Sequence, residues 1–227
     1  MFAKPDYFLF SGRTTCNGSC VTQNTGFAYD HGDYAAEINT NWLGLIGPGV
    51  EQLGLDGTGA ADGPSSAGPD SGQVTVPGSH TTGPWVDETD VRPTTLYLVG
   101  LRDDYEHDGR VITQVLSHPN HALRADGVTE LGECYKQLNS SVGQFGTFTL
   151  IAATKGIEST SPGDGIYQHA DQALRALEVA RDRLAGVIKG ELEAAAFDNQ
   201  LVANAGAQTR ACQAIIRGAQ QLASATS

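Results

Sequence analysis

No run of 18 consecutive apolar residues occurs in the 227-residue chain, so no membrane-spanning helix is expected. Basic residues are scarce. Fourteen Lys and Arg stand against 26 Asp and Glu, for a formal net charge of −12. The shortage is concentrated in the front half, where residues 1–118 hold 5 Lys/Arg against 15 Asp/Glu. A surface of that sign repels phosphate, which argues against nucleic acid as a partner. It is compatible with carboxylate-bound cations. The residues after Met1, FAKPDYFLF, offer neither a basic region nor a long apolar run, so no signal peptide is read there. What is present suits a folded chain: 40% apolar and 18% charged residues, enough for one large domain or two small ones.

Cysteine is also sparse, with four in all. Cys16 and Cys20 frame Asn-Gly-Ser, a tight polar loop. That spacing can close a small disulfide, which implies an oxidising compartment. A zinc pair is the alternative, and it needs two further ligands nearby. Cys134 and Cys212 fall in two helical patterns. They either bridge the helices or remain buried thiols.

The most informative stretch is Gly26 to Val50. Short apolar runs at Phe27–Tyr29 and Trp42–Ile46, each bounded by glycine or proline, read as buried strands. Tyr7–Phe10 is a third apolar run. Asp30, His31 and Asp33 gather around Gly32, a plausible hard-metal corner, since imidazole and carboxylate suit zinc and carboxylate oxygen also suits calcium or manganese. From 47 to 83 the chain carries ten glycines, a composition that reads as a surface loop. His80 closes it and is expected to be solvated.

Asp90 can cap a helix that takes Pro93 in its first turn and ends at Gly100. Residues 109–116 read as another short helix, stopped by Pro119. Beyond Pro119 helical periodicity takes over, with helices expected at 126–138, 142–158, 165–197 and 201–223. Gly143 and Gly146 weaken the start of the second, and Ser161-Pro162-Gly163-Asp164 has the form of a capping box before the third. Leu174, Leu177, Leu184, Ile188 and Leu192 trace a core stripe. Four amphipathic helices with short joins make an antiparallel bundle or a long hairpin.

Three features together resemble the carboxy-terminal part of the alkaline phosphatase superfamily, over roughly residues 5–118. His31-Gly32-Asp33 stands some sixteen residues before Gly47-Pro48-Gly49. Asp90-Val91-Arg92-Pro93-Thr94 with Gly100-Leu101 looks like the family's Asp-x-x-Pro-Thr helix. Asp103-Asp104-Tyr105 and Asp108-Gly109-Arg110 look like its aspartate-rich close. The nearest likeness is to secreted bacterial phosphodiesterase- or sulfatase-like proteins with a helical tail.

The resemblance implies an α/β fold. Residues 1–118 would form a partial alkaline-phosphatase-like sheet domain, and residues 119–227 a helical extension. It implies a metal-dependent hydrolase of phosphate or sulfate esters, with zinc or another divalent metal in the intact enzyme. His31 would ligate a metal, with Asp30 as a second candidate and Asp33 orienting the imidazole. It implies secretion or a place in the cell envelope, and so a Cys16–Cys20 disulfide. The family's Ser or Thr nucleophile and most of its ligands come upstream of the matched stretch. No Asp-Ser or Asp-Thr nucleophile motif with a following helix precedes His31. The chain is therefore expected to be inactive alone, to hold little or no metal, and to self-associate. The alternative is a non-catalytic secreted interaction module. Were a complete site present, His80, Asp87, Glu88 and Asp90 would be its remaining candidates.

Overall fold

The computed structural model describes residues 43–53, 86–102, 104–141, 143–159 and 162–225. Cys16, Cys20, Asp30, His31, Asp33 and His80 lie outside these residues, as do the apolar runs at 7–10 and 27–29 and most of the glycine-rich loop. Contacts divide the chain into residues 1–44 with 75–81, and residues 45–74 with 82–227. All described residues except Leu43 and Gly44 belong to the second unit, which is the one described below.

Helices dominate it: α1 (Val91–Leu98), α2 (Val128–Asn139), α3 (Gln144–Glu158), α4 (Gly165–Asp198) and α5 (Ala205–Ala225). Among the described residues there is no strand and no sheet. An isolated antiparallel bridge joins Val50 to Leu116, with Glu51 N–H donating to the Val115 carbonyl at 2.8 Å. The expected α/β architecture is therefore corrected to a helical one over this region. The run at Trp42–Ile46 shows why. Its described residues, 43–46, are irregular, and Leu43 and Ile46 are 41% and 100% exposed. Four apolar residues interrupted by a glycine do not make a strand without a partner to pair with.

The helix expected over 109–116 is also absent. It is extended chain with one 3₁₀ turn at Thr113–Val115. Side chains of α1 and its cap take its backbone donors. Arg110 N–H goes to Asp90 Oδ1 at 2.8 Å and Ile112 N–H to Thr94 Oγ1 at 2.9 Å. Donors spent that way are withdrawn from an i→i−4 ladder.

A single core runs through the helices and this extended segment. Val111, Ile112, Val115 and Leu116 pack with Leu131, Tyr135 and Leu138 of α2, Phe145 and Phe148 of α3, Ile188 and Leu192 of α4, and Ile216 of α5. Leu174, Leu177 and Leu184 of the expected stripe are partly buried against it. Gly143 and Gly146 do not merely weaken α3. A Cβ on Gly143 would stand 2.6 Å from the Gln137 carbonyl oxygen, and one on Gly146 would meet the Ser141 carbonyl. Both glycines let the tight α2–α3 join close. A 3₁₀ turn at Pro162–Asp164 leads into α4, and Asp164 caps α4 without a side-chain bond, while Ser161 of the expected capping box lies outside the described residues.

Two further ties fix the bundle. Cys134 of α2 and Cys212 of α5 form a disulfide, with Cα atoms 6.3 Å apart, and both are fully buried. Asn120, in the turn before α2, reaches the far end of α4. Its amide Nδ2 donates to the carbonyls of Ala195 and Ala196, each at 2.8 Å, and its Oδ1 accepts Leu123 N–H. Asn199 returns the contact through Oδ1, which accepts Ala122 N–H at 3.0 Å. Among the described residues no helix is long and apolar enough to cross a membrane.

Candidate functional site

A concavity lies where the entry to α1 meets the end of α2. Its volume is about 170 Å³, and Asp87, Thr89, Asp90, Asp108, Tyr135, Lys136, Asn139, Ser140 and Ser141 line it. Local sequence chemistry builds its floor. Asp87 caps the 3₁₀ turn Glu88–Asp90, its Oδ1 accepting from the Thr89 N–H and hydroxyl at 3.0 and 2.9 Å. Its Oδ2 accepts from Ser140 Oγ at 2.6 Å. Asp90 closes the box by accepting Asp87 N–H at 3.3 Å. So Asp87, not Asp90, is the side-chain cap at this helix entry.

Asp90 has a longer reach. Through Arg110 N–H it holds the Asp108-Gly109-Arg110 segment against the amino end of α1. Thr94 doubles the tie, donating its hydroxyl to the Asp90 carbonyl at 2.7 Å and accepting Ile112 N–H. Gly109 is what allows the approach, because a Cβ there would run into the Thr89 carbonyl. Arg110 then carries the connection into α2. Its Nη2 donates to Glu133 Oε1 at 2.5 Å, while Lys136 Nζ meets Glu133 Oε2 at 2.6 Å. Arg110, Glu133 and Lys136 are each 5% exposed or less. Gly132 gives the guanidinium room to lie across α2, since a Cβ there would stand 3.2 Å from Arg110 Cδ.

The electrostatics follow from burial. Burial pushes the Asp90 carboxyl up, against the Arg110 charge and the N–H groups of Arg110 and Asp87. Burial also works on Asp87, but hydrogen bonds from Ser140 and Thr89, with the Lys136 charge, outweigh it and hold its carboxyl low. Burial lowers Lys136 against the pull of Glu133. Tyr135 is pushed up by burial and by the nearby carboxylates, so its hydroxyl stays protonated and donates to the Asp108 carbonyl at 2.7 Å.

These shifts set a pH dependence. A depressed carboxyl such as Asp87 stabilises the fold above its ordinary pKa, 3.8, and the contribution is lost as pH falls through the folded value. Asp87→Ala is expected to cost about 1 kcal/mol at neutral pH. The gap from the parent chain should close as denaturation is followed below pH 3.8. A gap of constant size down to acid would show that the charged cap is not its source.

Asp87, Thr89, Asp90, Tyr135, Lys136, Asn139 and Ser140 of the cavity are thus engaged by neighbours. Among the described residues no three His, Cys, Asp or Glu side chains are grouped to hold a metal. Asp87 and Asp90, two of the sequence candidates, do meet here, but as cap and brace. Glu88 is exposed. The described donor set does not fit a zinc centre, which needs three or four convergent ligands, and no reaction step follows from it. Sequence reasoning missed Glu133 and Lys136. Comparison with family models, curated proteins and solved structures returns no match.

Proposed function

We propose that the chain contributes a closing scaffold and a helical extension to a metal-dependent hydrolase of phosphate or sulfate esters, and that it does not turn over substrate alone. One observation carries the scaffold assignment. Asp90, Thr94, Gly109 and Arg110, residues of the motifs on which the family resemblance rests, all serve as braces between α1, the 108–112 segment and α2. Chemistry would then rest on residues outside that brace. His31 is the first candidate ligand for zinc or another divalent cation, Asp30 the second, with Asp33 orienting the ring. The buried Cys134–Cys212 bond supports an oxidising location, secreted or in the cell envelope.

The test uses the purified 227-residue chain with zinc and nitrophenyl esters of phosphate and sulfate. The expected result is no turnover above background, with weak zinc uptake that falls further in His31→Ala. Zinc-dependent hydrolysis abolished by His31→Ala would overturn the proposal, because the chain would then hold a complete site.

A second reading, a non-catalytic secreted interaction module, draws on the face of α4. Val179 and Val187 are about half exposed there, and Gly186 and Gly190 open onto free space. Sedimentation of the parent chain beside Val179→Lys/Val187→Lys separates the readings. Self-association lost in the double variant favours the module. Association unchanged by it removes this face from consideration.

A further inference from the structure

We propose that α5 is held by a one-way oxidative latch: a thiol oxidant carrying a disulfide joins Cys134 to Cys212 while the helix is undocked, and docking then seals the bond from reductants. The proposal stands independently of any hydrolase assignment.

The helix meets the bundle largely through small side chains. Its buried side chains are Ala205, Cys212, Ile216, Ala219 and Ala223, and the free energy of burial scales with apolar area. Its bulky contributions are Ile216, with Ile215 and Leu222 partly buried against the core, while most of its buried positions are Ala. Two side-chain hydrogen bonds tie α5 to its neighbours. Lys155 Nζ donates to the Ala223 carbonyl, and Gln208 Nε2 to Glu191 Oε2, both at 2.8 Å. Residues 199–204 connect α4 to α5, and the disulfide closes a loop between α2 and α5. That loop spans 78 residues, and while α2 to α4 stay folded the cross-link restricts the short stretch from the end of α4 to Cys212.

Burial makes the latch one-way. Cys134 and Cys212 are 1% and 0% exposed, and exchange requires a thiolate to reach a sulfur. With α5 docked, neither sulfur can be attacked. With α5 released, both thiols are open to an oxidant. One protein thiolate attacks the oxidant's disulfide, forms a mixed disulfide and expels one oxidant thiolate. While α5 is still undocked, a transient approach of the helix brings the second protein thiolate onto that bond. It forms Cys134–Cys212 and expels the oxidant's second thiolate. Two electrons pass to the oxidant, which leaves as a dithiol with the two protons. No cysteine lies between positions 134 and 212, so the pairing joins consecutive cysteines.

Hydrogen exchange read by mass spectrometry tests this on the full chain in three forms: oxidised, reduced in denaturant and returned to native buffer with dithiothreitol, and Cys134→Ala/Cys212→Ala. In native buffer the oxidised chain should resist dithiothreitol, with neither cysteine alkylated, while denaturant exposes both. In the reduced chain and the double variant, exchange over 205–225 should quicken by about 10²-fold, because with α2 to α4 still folded the cross-link restricts on the order of 15 residues, the stretch between the end of α4 and Cys212. The amides of α2, α3 and the second half of α4 should keep their protection. Oxidised glutathione should restore the slow rates in the reduced chain and leave the double variant unchanged. Three results would each overturn the latch: ready reduction in native buffer, unchanged protection of 205–225 without the bond, or equal loss across all helices. The double variant, which never meets denaturant, distinguishes release from failed refolding.

Discussion

Glu133→Ala should destabilise the chain by about 3–5 kcal/mol, the usual consequence of stranding a buried charge. Glu133 is the carboxylate shared by Arg110 and Lys136, with both contacts at 2.6 Å or less. All three side chains are 4% exposed or less, so water cannot replace the lost partner. The guanidinium still has the Val111 carbonyl at 3.3 Å, and Asp90 stands near, but two cations then share one carboxylate. Native domains are stable by only about 5–15 kcal/mol, so the variant is expected to lose a large part of its margin. Urea denaturation gives the measurement. Glu133→Gln should fall between parent and Ala, keeping acceptor geometry for one contact without the charge. A loss under about 1 kcal/mol for Glu133→Ala would mean that the trio is not a buried network in solution.

Gly109→Ala is the second large effect, expected at about 3 kcal/mol or more because the strain falls on backbone. The added methyl would collide with the Thr89 carbonyl and stand 2.8 Å from Asp90 N. No rotamer relieves a contact with main chain. The 108–110 segment must move off α1, which breaks the Arg110 N–H bond to Asp90 and leaves a buried carboxylate short of a donor. Gly186→Ala and Gly190→Ala supply the contrast. Both sites lie inside α4 and open onto free space, so each should gain about 0.5–1 kcal/mol from helix propensity. Near-equal denaturation midpoints for all three variants would sink the close-approach argument.

How much of this was legible in the sequence depends on the range of the interaction. Helical periodicity is local, and the expected spans 126–138, 142–158, 165–197 and 201–223 fall close to α2, α3, α4 and α5. Gly100 stops α1 as expected. It takes φ 70° while Leu101 N–H closes onto the Leu96 carbonyl. The errors arise where distant residues decide. Residues 109–116 carry a helical pattern of Val111, Ile112, Val115 and Leu116. Their donors, however, are claimed by Asp90 and Thr94, 18 to 20 positions earlier. The strand expected at Trp42–Ile46 rested on an apolar run too short to tell strand from irregular chain.

The brace was half visible. Asp90, Thr94, Gly109 and Arg110 stood out as a motif, though its reading was chemical and its observed use is structural. Glu133 and Lys136 carried no signal, because a Glu and a Lys three positions apart on an amphipathic helix ordinarily face water. Only the arrival of Arg110 from another segment turns that face inward.

The double amide contact of Asn120 bears on chemical ageing. Hydrolysis of that one side chain to an acid replaces a two-proton donor with an acceptor, facing the carbonyls of Ala195 and Ala196 at 2.8 Å. Attraction at the end of α4 would turn into repulsion, reinforced because a helix carboxy terminus disfavours negative charge. Old preparations of the protein should therefore loosen first where α4 meets the turn before α2, and a peptide map of that turn would date them.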